Sequence, residues 1–203
     1  GQHWGIFSTH SHAASLLVTD YKVTSGKLWV VPNLNFESII KRSRGVNGDM
    51  NRKFATLRRD DPDYAAVERI KSLIKSPEID FILNLHDGSG FFRERYIDKM
   101  HNPNRWGQSI IIGQEELGSS AFARVGDYAR AVSKRVNRHL LTPDHSYRVH
   151  NTKTVEGDKE MAKTLTYFAI TNGKPAVGLE ASKNLPTRER VYYHLHLVEA
   201  FLD

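Results

Sequence analysis

The chain contains no cysteine. That absence excludes disulfide bonds, zinc sites built from thiolates, and a cysteine nucleophile. Any metal ion must therefore be held by histidine, aspartate or glutamate side chains. A cysteine-free composition suits an oxidising compartment but does not establish one.

Long hydrophobic runs are also missing. No segment approaches the ~20 apolar residues that span a bilayer. The start shows no leader pattern of a charged stretch followed by an apolar one. Because the first residue is Gly1 rather than an initiator, we expect a mature form or a fragment. The 203 residues carry no linker, internal repeat or low-complexity stretch.

A concentrated basic stripe is absent, although the formal net charge is +6 and the pI is near 9.5. The basic residues are dispersed, and no helix-turn-helix or RNA-binding signature accompanies them. The pattern therefore disfavours nucleic acid as a partner. An anionic surface or an acidic small substrate stays open as the partner of a basic protein.

What the chain does contain is an alternation of β-forming and helical segments. Strands are predicted over 28–31, 80–85, 109–113 and 175–179, and helices over 63–75, 121–141, 160–171 and 188–202. This alternation predicts an α/β fold with a mixed, mostly parallel, twisted sheet flanked by helices. In such sheets functional residues lie at the carboxyl ends of strands, where His86 and Glu180 both fall.

The segment around residues 44–54 has the composition of an anion-binding loop. Arg44 and Arg52 carry planar guanidinium groups that can bind a carboxylate through two parallel hydrogen bonds, and Asn51 adds an amide donor. Nearby glycines make the segment a loop that can present these side chains to a cleft. A basic loop with one structural ion pair is the alternative interpretation.

His86 and Glu180 each admit two interpretations. His86 follows an apolar strand and precedes a glycine-rich turn that leaves one side open, as a metal site needs, and Asp87 is placed to orient it. A hydrogen-bonded structural histidine is the alternative. Glu180 lies in an apolar strand, where a carboxylate is costly unless it is functional or paired, for instance with Lys183.

Taken together, these residues carry a family resemblance. The segments that carry it are 31–35, 44–54, 85–91, 102–107, 151–154 and 180–186. They resemble the zinc metallocarboxypeptidases, and most closely the bacterial peptidoglycan D,L-carboxypeptidases that determine cell shape. The similarity runs from Ala13 to the end of the chain.

The resemblance implies a role for each residue. Asn51 and Arg52 would hold the terminal carboxylate of the substrate, and Arg44 would polarise the scissile carbonyl. His86 would bind one zinc ion, and Glu180 would act as the general base. The implied substrate is a peptidoglycan stem peptide and the implied compartment is the periplasm.

One expected part is missing from the start of the chain. The family carries its first two zinc ligands on a His-or-Gln-x-x-Glu motif, and counting back places that pair near Trp4 and Phe7, neither of which binds zinc. Residues 1–12 are therefore interpreted as a divergent or truncated segment before a catalytic domain over 13–203. His10 and His12 are candidate replacement ligands, with exposed histidines in a frayed terminus as the plainer interpretation.

The missing pair leaves three functions open. The first is a zinc-dependent carboxypeptidase that removes the C-terminal residue of a stem peptide. The second is a non-catalytic domain that binds muropeptides through the basic loop. The third is a deacylase of the same fold. The oligomeric state is not predicted.

Overall fold

The computed structural model describes residues 2–8, 11–41, 43, 45–117 and 122–203. The strands are β1 (His3–Ser8), β2 (Lys27–Val31), β3 (Phe81–Gly88), β4 (Phe91–Phe92), β5 (His101–Asn102), β6 (Ser109–Ile112), β7 (Arg148–Asn151) and β8 (Ala176–Ser182). The helices are α1 (Ser11–Thr19), α2 (Phe36–Ile40), α3 (Tyr64–Ile74), α4 (Val125–Val136), α5 (Leu165–Thr171) and α6 (Thr187–Leu202). Among the described residues, no helix is long and apolar enough to cross a membrane.

A mixed sheet in the order β2-β1-β3-β8-β6-β7 forms the centre of the fold. Its neighbouring strands run parallel except for β6 and β8, which are antiparallel. The predicted α/β fold with a mostly parallel sheet is therefore confirmed. Strands β3 and β8 lie in the middle of this order, which explains why their apolar runs are nearly continuous.

Helices cover both faces of the sheet. One face packs against α1, α4 and α6 and buries Leu83, Leu85 and Leu179. The other face packs against α3 and α5 and buries Phe7 and Ile82. Each fully buried side chain of this kind contributes about 1.5–3 kcal/mol through removal of apolar surface from water.

Two predicted helices are shorter in the structure. The helix expected over 121–141 is observed as α4, Val125–Val136, because the chain beyond it tightens into turns in which the amides of Arg138 and His139 donate to carbonyls three residues back. The helix expected over 160–171 is interrupted at Thr164. That residue is extended (ψ 159°), and its hydroxyl caps α5 by accepting from the amide of Tyr167 at 3.2 Å.

His150 on strand β7 contacts two aromatic rings. Its ring stacks on that of Phe92, with the centroids 4.0 Å apart and the planes nearly parallel at 5°, and its centroid lies 4.9 Å from that of the tilted Trp106 ring. Burial lowers the pKa of His150 from 6.5 to about 4. The folded protein therefore holds this imidazole neutral at pH values where the unfolded chain would protonate it.

We expect this imidazole to make folding stability fall as the pH is lowered. Between pH 6.5 and about 4 the unfolded chain binds a proton that the folded chain does not, so the free energy of unfolding decreases there. At about 1.4 kcal/mol per pKa unit, the loss amounts to about 3 kcal/mol. Urea unfolding at pH 7 and pH 4 measures it. His150→Phe, which keeps the stacking, should lose correspondingly less stability, and equal losses in both proteins would contradict the assignment.

Candidate functional site

The site forms where β3 and β8 run side by side. In their parallel register His86 lies opposite Glu180, so both side chains leave the same face of the sheet. Leu85 and Leu179 precede them and are buried on the other face at 1% and 0% exposure. His86 and Glu180 are only half-buried, which leaves them accessible from one side.

Two further residues continue this line across the sheet. Ser109 on β6 lies opposite Glu180, and Arg148 on β7 lies opposite Ser109. Ser109 is fully buried and donates to the carbonyl of Trp106 at 2.5 Å, whereas Arg148 is half-buried with its Nε 3.9 Å from Glu94. The sequence analysis singled out neither residue. The sequence signal for a strand there is weak, because Arg148–Asn151 contains a single apolar residue, Val149.

Asn51 connects the basic loop to His86. A short 3₁₀ turn, Met50–Arg52, is capped by Asp49, whose carboxylate accepts from the amide of Asn51 at 3.0 Å. The side-chain oxygen of Asn51 accepts from the amide of Leu165, also at 3.0 Å. Its Nδ2 therefore faces the Nε2 of His86, at 3.5 Å. The predicted anion-binding loop and the predicted metal-ligand position thus meet in the folded chain.

Arg52 follows on the same turn with its side chain 29% exposed. Its Nη1 donates to the carbonyl of Asn51 at 3.2 Å, and its Nε lies 3.7 Å from the exposed carboxylate of Glu160. An ion pair this exposed contributes little stability. A substrate carboxylate can displace Glu160 at small cost, so the guanidinium is suited to bind an anion.

Of the three remaining predicted site residues, the structure describes one, His12. Arg44 and His10 lie outside the described residues. His12 is exposed on α1 and lines a groove with Ser15 on the same helix and Arg188 on α6. Helix α1 packs on the face of the sheet opposite to the one from which His86 projects, so the structure does not bring His12 and His86 together.

The fit to a metal ion is incomplete within the described part of the chain. There, no three histidine, aspartate or glutamate side chains gather in a way that could hold a metal. Trp4 and Phe7 are buried at 4% and 0% exposure within β1. Because they are three residues apart on a strand, they point to opposite faces, Trp4 towards Phe81 and Phe7 into the layer under α3 and α5.

Asp87 was expected to orient the imidazole of His86, but its side chain lies on the other face of the sheet. Being next to His86 on a strand, it projects to the opposite face, where its carboxylate accepts hydrogen bonds from Arg190 and His194 of α6. Both contacts come from a helix roughly a hundred positions further along the chain. No local pattern around Asp87 indicates them.

Comparison with a family model gives a match over residues 5–203. The model describes the catalytic domain of carboxypeptidases that control helical cell shape. No curated protein matches the chain.

Comparison with solved structures gives high similarity to the Cell Shape Determinant protein Csd4 from Helicobacter pylori. The product-bound form is 42% identical with a TM-score of 0.97, and the alignment covers 99% of this chain and 50% of that one. The mDAP-bound form, described as a D,L-carboxypeptidase, has the same values. The chain thus spans about half the length of these relatives. Carboxypeptidase A from Helicoverpa armigera, at 10% identity, a TM-score of 0.65 and coverage of 98% and 60%, shares the fold.

Restoring the family's ligand pair at the counted-back positions should fail. We expect the double variant Trp4→Gln/Phe7→Glu to lose most of its stability, because large-to-small changes at buried aromatic residues cost about 3–5 kcal/mol each and Phe7→Glu also buries a charge. Urea unfolding and zinc analysis test this, with the apolar variant Phe7→Leu as the mild control. A well-folded double variant that gains a full complement of zinc would contradict it.

Proposed function

This chain belongs to the catalytic domains of carboxypeptidases that control helical cell shape, and from that premise we propose that it removes the C-terminal residue from peptidoglycan stem peptides. The proposal is supported by the relatives, since Csd4 is described as a D,L-carboxypeptidase and its structures hold a tripeptide and mDAP. The net charge of +6 suits a substrate that carries several carboxylates.

One observation carries the proposal, namely the contact between Asn51 and His86 beside Glu180. A carboxypeptidase must hold the free C-terminus of its substrate within reach of the groups that attack the last peptide bond. Here the Asn51–Arg52 turn lies directly against the strand end that carries the reactive candidates. A basic loop elsewhere on the surface would not meet this requirement.

The proposed roles follow from the chemistry of each side chain. Arg52 and Asn51 bind the terminal carboxylate through charge-assisted hydrogen bonds. Arg44 stabilises the negative charge that develops on the scissile carbonyl oxygen. Glu180 accepts a proton from the attacking water and passes it to the leaving amine as the carbon–nitrogen bond breaks.

The family implies a metal, and we propose zinc with His86 as one ligand. The described residues do not complete a site for it, because His86 is not accompanied there by two further ligands. The roles assigned above to Asn51 and Arg52 therefore rest on their own contacts, and that of Glu180 rests on its position beside His86 in the sheet. The zinc content of the purified chain decides whether it binds the metal.

A second candidate is a non-catalytic domain that binds muropeptides through Asn51 and Arg52. The burial of Trp4 and Phe7 favours it, because these are the positions where the family's ligand pair was expected. The family match supports the peptidase over a deacylase of the same fold. We also propose that residues 13–203 form the catalytic domain after a divergent start, and that the domain acts in the periplasm, where its substrate lies.

The proposed binding of the terminal carboxylate by Arg52 is tested with Arg52→Ala. We expect it to weaken binding of a stem peptide with a free C-terminus by about tenfold to a hundredfold, because hydrogen bonds to charged groups contribute about 1.5–3 kcal/mol. The amidated peptide should bind equally to both proteins. Calorimetry in a Glu180→Gln background avoids turnover.

The matched control is Arg58→Ala, which removes an exposed arginine whose guanidinium pairs with the exposed carboxylate of Asp60. It should leave both affinities unchanged. Equal losses for the free and the amidated peptide in Arg52→Ala would show that Arg52 does not bind the terminal carboxylate.

Metal content separates the two candidate functions. After zinc loading and desalting, about one zinc per chain by plasma mass spectrometry, lost in His86→Ala, would support the peptidase. Glu180→Gln should keep zinc and peptide affinity but lose turnover by about 10²–10⁴-fold, the usual contribution of a general acid–base group. Negligible zinc and no turnover, with peptide binding intact, would replace the peptidase with the binding domain.

A further inference from the structure

A buried ionic network lies directly behind the candidate site. The carboxylate of Asp87 is 5% exposed and accepts hydrogen bonds from the Nη1 of Arg190 and from the Nε2 of His194, the latter at 3.1 Å. Arg190 and His194 are four residues apart and therefore lie on one side of α6. The residue between this network and the site is His86, the immediate neighbour of Asp87.

The helix that supplies these contacts is firmly packed. Leu197, Val198 and Phe201 of α6 are fully buried against the sheet and α4. The Nη2 of Arg190 also donates to the hydroxyl of Thr187 at 2.9 Å, which ties the guanidinium to the first turn of the same helix. Asp87 is thus connected to a rigid element rather than to a loop.

Stability alone does not account for this network. Removing charged groups from water costs several kcal/mol, and apolar residues of similar size often stabilise a protein as well or better. Here the Nε of Arg190 and the Nδ1 of His194 are buried without a hydrogen-bond partner, which adds to the cost. The arrangement does provide a fixed position for the end of strand β3.

That position matters because, among the described residues, β1 pairs with β3 as far as Leu85, whereas β8 pairs with it beyond that point. The register between β1 and β3 runs from Trp4 opposite Phe81 to Ser8 opposite Leu85. The register between β3 and β8 continues through His86 to Gly88. At His86, β8 is therefore the strand that pairs with β3 in the described sheet. The contacts of Asp87 with α6 attach β3 a second time at the next residue.

We propose that Asp87, held by Arg190 and His194, is a positioning residue that keeps His86 against Asn51 at the active site. The proposal rests on the proposed function in treating His86 as part of that site. Asp87 itself touches neither substrate nor reacting atoms. Its effect is transmitted through the backbone of β3, which sets where the imidazole of His86 lies relative to Glu180 and to the Nδ2 of Asn51.

The test compares Asp87→Asn, which removes the charge at nearly constant volume, with Val198→Ala, which weakens the packing of the same helix without touching Asp87. The first readout is independent of activity, namely the nitrogen resonances of the His86 ring and the side-chain amide of Asn51. Both are measured under conditions where each protein is fully folded. Asp87→Asn should shift these resonances, and Val198→Ala should not.

The second readout is kinetic. We expect Asp87→Asn to lower kcat by about tenfold to a hundredfold, the usual effect of groups that orient a metal ligand. KM should stay nearly constant, because the Asn51–Arg52 turn is held by its own contacts with Asp49 and Leu165. If wild-type turnover is absent, the proposed function fails, while the resonances still decide whether Asp87 positions His86.

Arg190→Gln keeps the test informative if Asp87→Asn does not fold, since the side chain of Arg190 is 23% exposed and tolerates replacement more easily. It should shift the same resonances in the same direction. Unchanged His86 and Asn51 resonances in every variant that folds, or equal shifts in Val198→Ala, would overturn the proposal and leave the network a structural one.

Discussion

The parallel pairing of β3 with β8 is the constraint on which the site depends. Strands in a sheet lie about 4.8 Å apart, so the register that sets His86 opposite Glu180 brings an imidazole and a carboxylate side by side on one face. A shift of one residue would turn one of the two towards the opposite face. The contact of Asn51 with His86 and the link of Asp87 to α6 both act on this strand end.

The start of the chain shows that a residue serving the core cannot also serve the site. Trp4 and Phe7 are buried on opposite faces of β1, where they pack the two hydrophobic layers. Residues three apart on a strand point to opposite faces, so this pair cannot converge on one ion there. The packing of β1 therefore excludes a ligand pair at the two positions where counting back from the resemblance had placed it.

Prediction from the sequence was most reliable where local pattern and tertiary structure agree. The helix expected over 63–75 is confirmed as α3, because its apolar residues recur at helical spacing and face one layer. Strand β7 was missed because its four residues include a single apolar one, Val149, which gives no periodic pattern. Strand β1 was missed because the first twelve residues were interpreted as divergent, whereas six of them form an inner strand of the sheet.

By itself the sequence determined the α/β class, the absence of thiol chemistry, and the location of His86 and Glu180 towards the carboxyl ends of apolar strands, although both strands continue two residues beyond them. These follow from composition and from short-range periodicity. Only the tertiary structure decided that Asn51 meets His86, that Ser109 and Arg148 continue the same line, and that Asp87 turns towards α6. Such contacts join segments far apart along the chain, and a local pattern does not encode which distant partner a strand or helix will meet.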